Sequence, residues 1–205
     1  MHTETLRSSF AHIGLALREP EEFAARWHER DASYAPATWL ALAMTGAAGT
    51  LGYGMTMGMG QGLSAVGSKA ILLTIAAGAA WGIPLPALYI LNSLGGSRLR
   101  PSTTLLAALV TTSWGGLALL ASVPINWFFT AAVPDLPALS AEWSRRIIVG
   151  VNLLVFTGVG ISMADVFGRV MARLEPNSGA KPTWVLALVA MIGSQFFYLF
   201  HLFAA

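Results

Sequence analysis

Asp165 and Arg169 stand four residues apart, a spacing that sets a carboxylate beside a guanidinium on one face of a helix. Deep in a membrane such a carboxylate would serve a proton or an ion; at a helix end the two form an interfacial ion pair. His201 lies in the aromatic run Phe196, Phe197, Tyr198, Phe200 and Phe203. One histidine without a nearby carboxylate or second histidine is a poor metal site, and it reads as part of an aromatic belt at a membrane surface. Asn92, Thr111, Thr112, Ser113, Asn152 and Gln195 are neutral groups able to hydrogen-bond between helices. No serine/histidine/acid set, HExxH sequence or paired carboxylates occur. The chain has no cysteine, which excludes disulfides, thiolate ligands and thiol nucleophiles. No enzymatic activity, metal or cofactor is expected.

The elements that must position these residues are long and apolar. Of the 205 residues, 55% are hydrophobic and 11% charged, where a soluble domain carries about 25% charged residues. Five runs, at roughly 38–59, 70–94, 103–123, 147–167 and 184–203, each approach the ~20 apolar residues that cross a ~30 Å hydrocarbon layer as a helix. The expected fold class is all-α: a polytopic membrane bundle of five transmembrane helices over residues 36–205, preceded by amphipathic interfacial helices within residues 1–35. A net charge of +2 with no basic stripe excludes a nucleic-acid partner.

In the N-terminal segment Leu6, Phe10, Ile13 and Leu17 recur at helical spacing and form one stripe. Pro20 suits the first turn of a second helix, where Glu21 and Glu22 favour its positive end. Phe23 and Trp27 share a face of that helix. Two readings follow: these residues lie on the inner leaflet or dock a partner, or they cover the end of the bundle. Arg18, Glu19, Glu21 and Glu22 fall where a signal peptide would need an apolar core.

Gly46, Thr50, Gly54, Gly58 and Gly62 recur every four residues in the first run. Such a ridge lets a second backbone approach closely, a main source of helix association in lipid. It predicts either homo-oligomerisation or packing against another helix of the same chain. The glycine-rich stretch 52–62 also reads as a helix end, frayed or unwound near a permeation path. Gly82, Pro84 and Pro86 interrupt the second run and predict a kink. Gly95 and Gly96 stop it, and Pro101 starts the next. Pro124 is expected to end the third run, with residues 125–133 lying at the outer surface.

Basic residues favour the cytoplasmic side. Arg7, Arg18, Arg26, Arg30, Arg98, Arg100, Arg169, Arg173 and Lys181 fall on one side of the five runs, and Lys69, Arg145 and Arg146 on the other. The N-terminus is thus expected inside and the C-terminus outside. Lys69 and Lys181 are the only lysines in an arginine-, alanine- and glycine-rich chain, a composition that fits a bacterial inner membrane.

Several of these segments together resemble the Yip family, five-span membrane proteins that interact with Rab-type GTPases, and its bacterial relatives. The resemblance rests on Pro20, Glu21, Glu22 and Phe23 ahead of the first run, on residues 88–96 with their leucine-rich end and Gly95–Gly96 turn, and on residues 103–124 ending in Ser122-Val123-Pro124. It implies five spans and a cytoplasmic N-terminus. The N-terminal segment is shorter than the domain with which eukaryotic members meet GTPases, so lipid and membrane-protein partners, or a second copy, are expected rather than a GTPase. The function expected is a non-enzymatic scaffold or assembly protein. The alternative is a transporter or channel component, with a path near the glycine-rich end of the first span and the kinked second span.

Overall fold

The computed structural model describes residues 12–30, 33–94, 96–134, 136–137, 139–176 and 183–202, and all regular structure among them is helical. Residues 12–18 form a helical stretch, followed by α1 (Pro20–His28), α2 (Pro36–Gly58), α3 (Leu63–Gly82), α4 (Pro84–Leu94), α5 (Pro101–Ala132), α6 (Ala141–Leu174) and α7 (Thr183–Leu199). Proline occupies the first turn of α1, α2 and α5, where its missing N–H costs no hydrogen bond. Ser140 caps α6 by accepting from the Trp143 N–H.

Three helices are long and apolar enough to cross a membrane: Leu63–Ala87, Pro101–Ala132 and Ala141–Leu174. That is fewer than the five apolar runs predict. α2 is long but dilutes its leucines with glycine, threonine and tyrosine. The apolar part of α7, Ala187–Leu199, is shorter than a span, and residues 181–182 before α7 lie outside the described set.

The bundle is built around α2, which packs between α3 and α5; α6 lies against α5, and α7 against α3. Glycine makes both α2 contacts. A methyl built on Gly116 of α5 would meet Gly46 Cα at 2.6 Å, and one built on Gly49 would fall inside the Gly116 backbone. On the α3 side, methyls on Gly54 and Gly58 would sit 2.6 Å from Ala70 Cα and 2.5 Å from Val66 Cα. The ridge is therefore filled by neighbours in the same chain, not left open for a second copy. Gly62 is not part of it: with φ at +100° it turns the chain into α3.

Two boundaries differ from the sequence reading. α3 begins at Leu63, so Lys69 is a buried helical residue rather than a loop residue. α5 runs through Pro124 to Ala132. Asn126, two residues beyond the proline, is fully buried and bonded to α2, so tertiary packing holds the helix on. Gly82 and Pro84 do interrupt the second run, with Ile83 the single residue between α3 and α4.

Candidate functional site

Polar residues of α2 point inward and tie it to three neighbours. Tyr53 is fully buried, and its hydroxyl donates to Asn152 Oδ1 of α6 at 3.0 Å. The other end of the Asn152 amide donates to Ile148 O at 2.8 Å, which fixes its orientation. Thr56 Oγ1 donates to Tyr53 O at 2.6 Å and accepts from Asn126 Nδ2 of α5 at 2.7 Å. The Thr50 and Thr74 hydroxyls of α2 and α3 lie 3.0 Å apart. Nearer the other end of α2, Ser113 donates to Leu42 O at 2.6 Å. At the Thr56 end, Asn126 Oδ1 and, one turn on, the Thr130 hydroxyl are buried without a partner among the described residues.

These groups lead to a cavity of about 360 Å³ at the end of the bundle where α2 turns into α3. Its polar lining comes from Gln61, Thr130, Ser144, Arg145 and Asn152, and its apolar lining includes Met57, Ile148 and Leu202. Gly60, with φ at +89°, shapes the turn that forms one wall. Arg145 is exposed and makes no ion pair among the described residues. No family model matches the chain, and neither a curated protein nor a solved structure does.

At the same end Lys69 reaches across from α3 to the turn that closes α7. Its Nζ donates to His201 O at 2.8 Å and Leu202 O at 2.9 Å, carbonyls that a helix end leaves without partners. His201 enters through its backbone, with φ at +48°; its ring leans on Tyr198, with centroids 6.4 Å apart.

The opposite end carries the other predicted residues. α1 lies across it, with Phe23 fully buried and Trp27 part-buried in a cluster with Tyr34, Leu42, Leu106 and Val110. Both are thus engaged within the chain. Ile13 and Leu17 are half-buried, while Leu6 and Phe10 lie outside the described residues. Arg169 Nε donates to Asp165 Oδ2 at 3.0 Å, as their spacing predicts, and the same guanidinium also meets Glu21 of α1. Arg173 faces Glu22 and Glu29 at 3.8 and 3.7 Å. Arg100 donates to the carbonyls of Trp27 and His28, at 2.9 and 2.8 Å, and so caps α1.

Of the six neutral residues singled out in the sequence, Asn152 and Ser113 link helices. Thr111 and Thr112 bond within α5, Gln195 is exposed, and the Asn92 side chain lies outside the described residues. Tyr53, Thr56, Asn126 and Thr130 were not singled out. Asn126 and Thr130 hid behind the expected break at Pro124, although their i, i+4 spacing on a continued helix puts both on one face. Among the described residues no three His, Asp or Glu side chains gather to hold a metal. Among the described residues, neither α3 nor α4, the two halves of the interrupted second run, lines the cavity.

Proposed function

We propose that this chain is an integral membrane protein of five transmembrane helices with an N-terminal cap, acting without catalysis as a scaffold or assembly protein. The observation that carries the reading is an inside-out distribution of polarity. Leu40, Met44, Ile71, Ile75, Leu120, Leu154, Ile161 and Met191 are exposed on α2, α3, α5, α6 and α7, while Tyr53, Thr56, Asn126 and Asn152 are buried and bonded across helices. In water this arrangement is costly; in hydrocarbon each side faces the medium that suits it. α2 and α7 join the spans because they pack along helices that are apolar enough to cross. The Yip-type resemblance calls for the same five spans.

The arginines on the α1 side argue for that end being cytoplasmic, in a bacterial inner membrane. Cysteine labelling at Gln61, Leu136 and His201, all exposed, against Arg30, Arg98 and Glu175 tests both spans and orientation. The first set should react from outside intact cells and the second only after permeabilisation.

Contacts with other membrane proteins fall to α6. Only 6% of its most apolar stretch is buried. Gly150, Leu154, Gly158 and Ile161 share its outward face, and a methyl on either glycine would meet nothing within 4 Å. Gly158→Leu or Leu154→Trp should release partners that co-purify in mild detergent while the protein stays folded. An unchanged complex in both variants would remove α6 as the contact. The channel or transporter reading keeps one observation in its favour, the cavity lined by Thr130. Flux through reconstituted vesicles that responds to Asn126→Leu would support it.

A further inference from the structure

The cavity beside Arg145 combines features that the scaffold reading does not use. Thr130 lines it, is nine-tenths buried, and has a hydroxyl without a partner. Asn126, one turn deeper on α5, is fully buried with its Oδ1 also unpartnered. Burying such a group unpaired is costly, and a ligand hydroxyl at Thr130 would recover that cost. Arg145 lines the same cavity with a guanidinium free of ion pairs among the described residues. Its neighbour Arg146 is engaged: it bonds Glu142 at 2.6 Å and lies 5.2 Å from the Trp143 ring centre.

The surroundings fix the depth. Trp127, Phe128, Trp143 and Tyr198 are all exposed on the ends of α5, α6 and α7 that surround this cavity. Exposed tryptophan and tyrosine mark the level of lipid headgroups. Ile148 and Val149 continue the lining onto α6, whose Leu153 and Leu154 are exposed beyond it.

We infer that this cavity holds the headgroup of an anionic phospholipid, with the phosphate on Arg145, a headgroup hydroxyl toward Thr130, and acyl chains along α6. A guanidinium matches a phosphate bidentately, and a polyol supplies a hydroxyl able to pair with the unpartnered Thr130 Oγ1. The inference rests on the reading of the chain as membrane-spanning.

Native mass spectrometry of the detergent-purified protein tests it, using phosphatidylglycerol, phosphatidylcholine with the same acyl chains, and soluble glycerol 3-phosphate. The expected result is one phosphatidylglycerol retained about tenfold more tightly than phosphatidylcholine, a difference the size of one charge-assisted contact. Arg145→Gln should abolish that preference, Thr130→Val should weaken it, and Arg146→Gln should leave it intact. Equal loss in the two arginine variants would mean diffuse charge and overturn the site. So would an unchanged preference in Arg145→Gln, or glycerol 3-phosphate binding as tightly as the lipid, which would make the cavity a site for a free anion. A protein that stays soluble without detergent would instead overturn the membrane reading itself.

Discussion

Gly49 and Gly116 meet backbone to backbone where α2 crosses α5, with no room for a side chain on either. Close approach of this kind replaces the hydrophobic effect, which cannot drive helices together in lipid. Gly49→Ala must push the two helices apart, because the obstructing atoms are main chain. A loss of about 3 kcal/mol or more is expected, the upper end for overpacking. Gly150→Ala, with open space around it, should cost nothing and gain up to about 1 kcal/mol from helix propensity. Thermal unfolding in one detergent compares the two; similar midpoints would contradict the packing described here.

The ridge glycines facing α3 give a second contrast. A leucine at Gly54 or Gly58 would collide with the backbone at Ala70 or Val66. Both variants should lose the α2–α3 hairpin and yield unfolded or aggregated protein, not a folded monomer freed from a partner. Size-exclusion chromatography with circular dichroism separates these outcomes.

Much of this arrangement is legible in the sequence. The spacing of Gly54 and Gly58 announces a close helix contact, and that of Asp165 and Arg169 announces their ion pair. What spacing does not carry is the identity of the neighbour. Gly46 turns to α5 while Gly54 and Gly58 turn to α3, a division set by where two other helices lie. Pro124 shows the complementary failure. Local chemistry argues for a break, yet burial of Asn126 against Thr56 carries α5 two more turns and delivers Thr130 to the cavity. Lys69 misleads in the same way: a charge among small residues looks like a loop until the carbonyls of a distant helix end receive it.

The link between Tyr53 and Asn152 should be measurable and modest. Tyr53→Phe removes the hydroxyl and leaves Asn152 Oδ1 buried. A double-mutant cycle with Asn152→Leu is expected to give a coupling of about 0.6 kcal/mol, the average for polar pairs between membrane helices, and not above about 1.7 kcal/mol, the largest such value. A coupling near zero would mean that the two residues are held by packing alone.

Docking of α1 should respond to alkaline pH through Tyr34. Its hydroxyl donates to Phe23 O at 2.9 Å, and its ring stacks on Phe23 with centroids 4.1 Å apart. Burial raises the Tyr34 phenol above its ordinary value of 10.0, with the nearby Arg26 pulling the other way. A raised value means that the folded state holds the proton more tightly than the unfolded one. The stabilisation is complete below pH 10 and is lost as the pH climbs through the folded value. Proteolysis near residue 30 should accelerate over that window in the wild type and not in Tyr34→Phe, which cannot ionise.

Lys69 offers the last test, since one side chain from α3 holds the end of α7. Its ammonium donates to His201 O and Leu202 O, and the residue is only 9% exposed. Lys69→Met keeps most of the apolar stem but leaves those carbonyls without this donor in a site that water reaches poorly. The cost expected is about 1–3 kcal/mol, the penalty for a buried acceptor that loses its partner. Because the contact anchors one turn, the loss should appear locally. Hydrogen exchange over residues 196–202 should quicken while α5 and α6 stay protected. Lys69→Arg, which keeps donors on a longer stem, should restore part of that protection. Uniform exchange across the whole chain would show that Lys69 supports the fold as a unit and not the α7 terminus in particular.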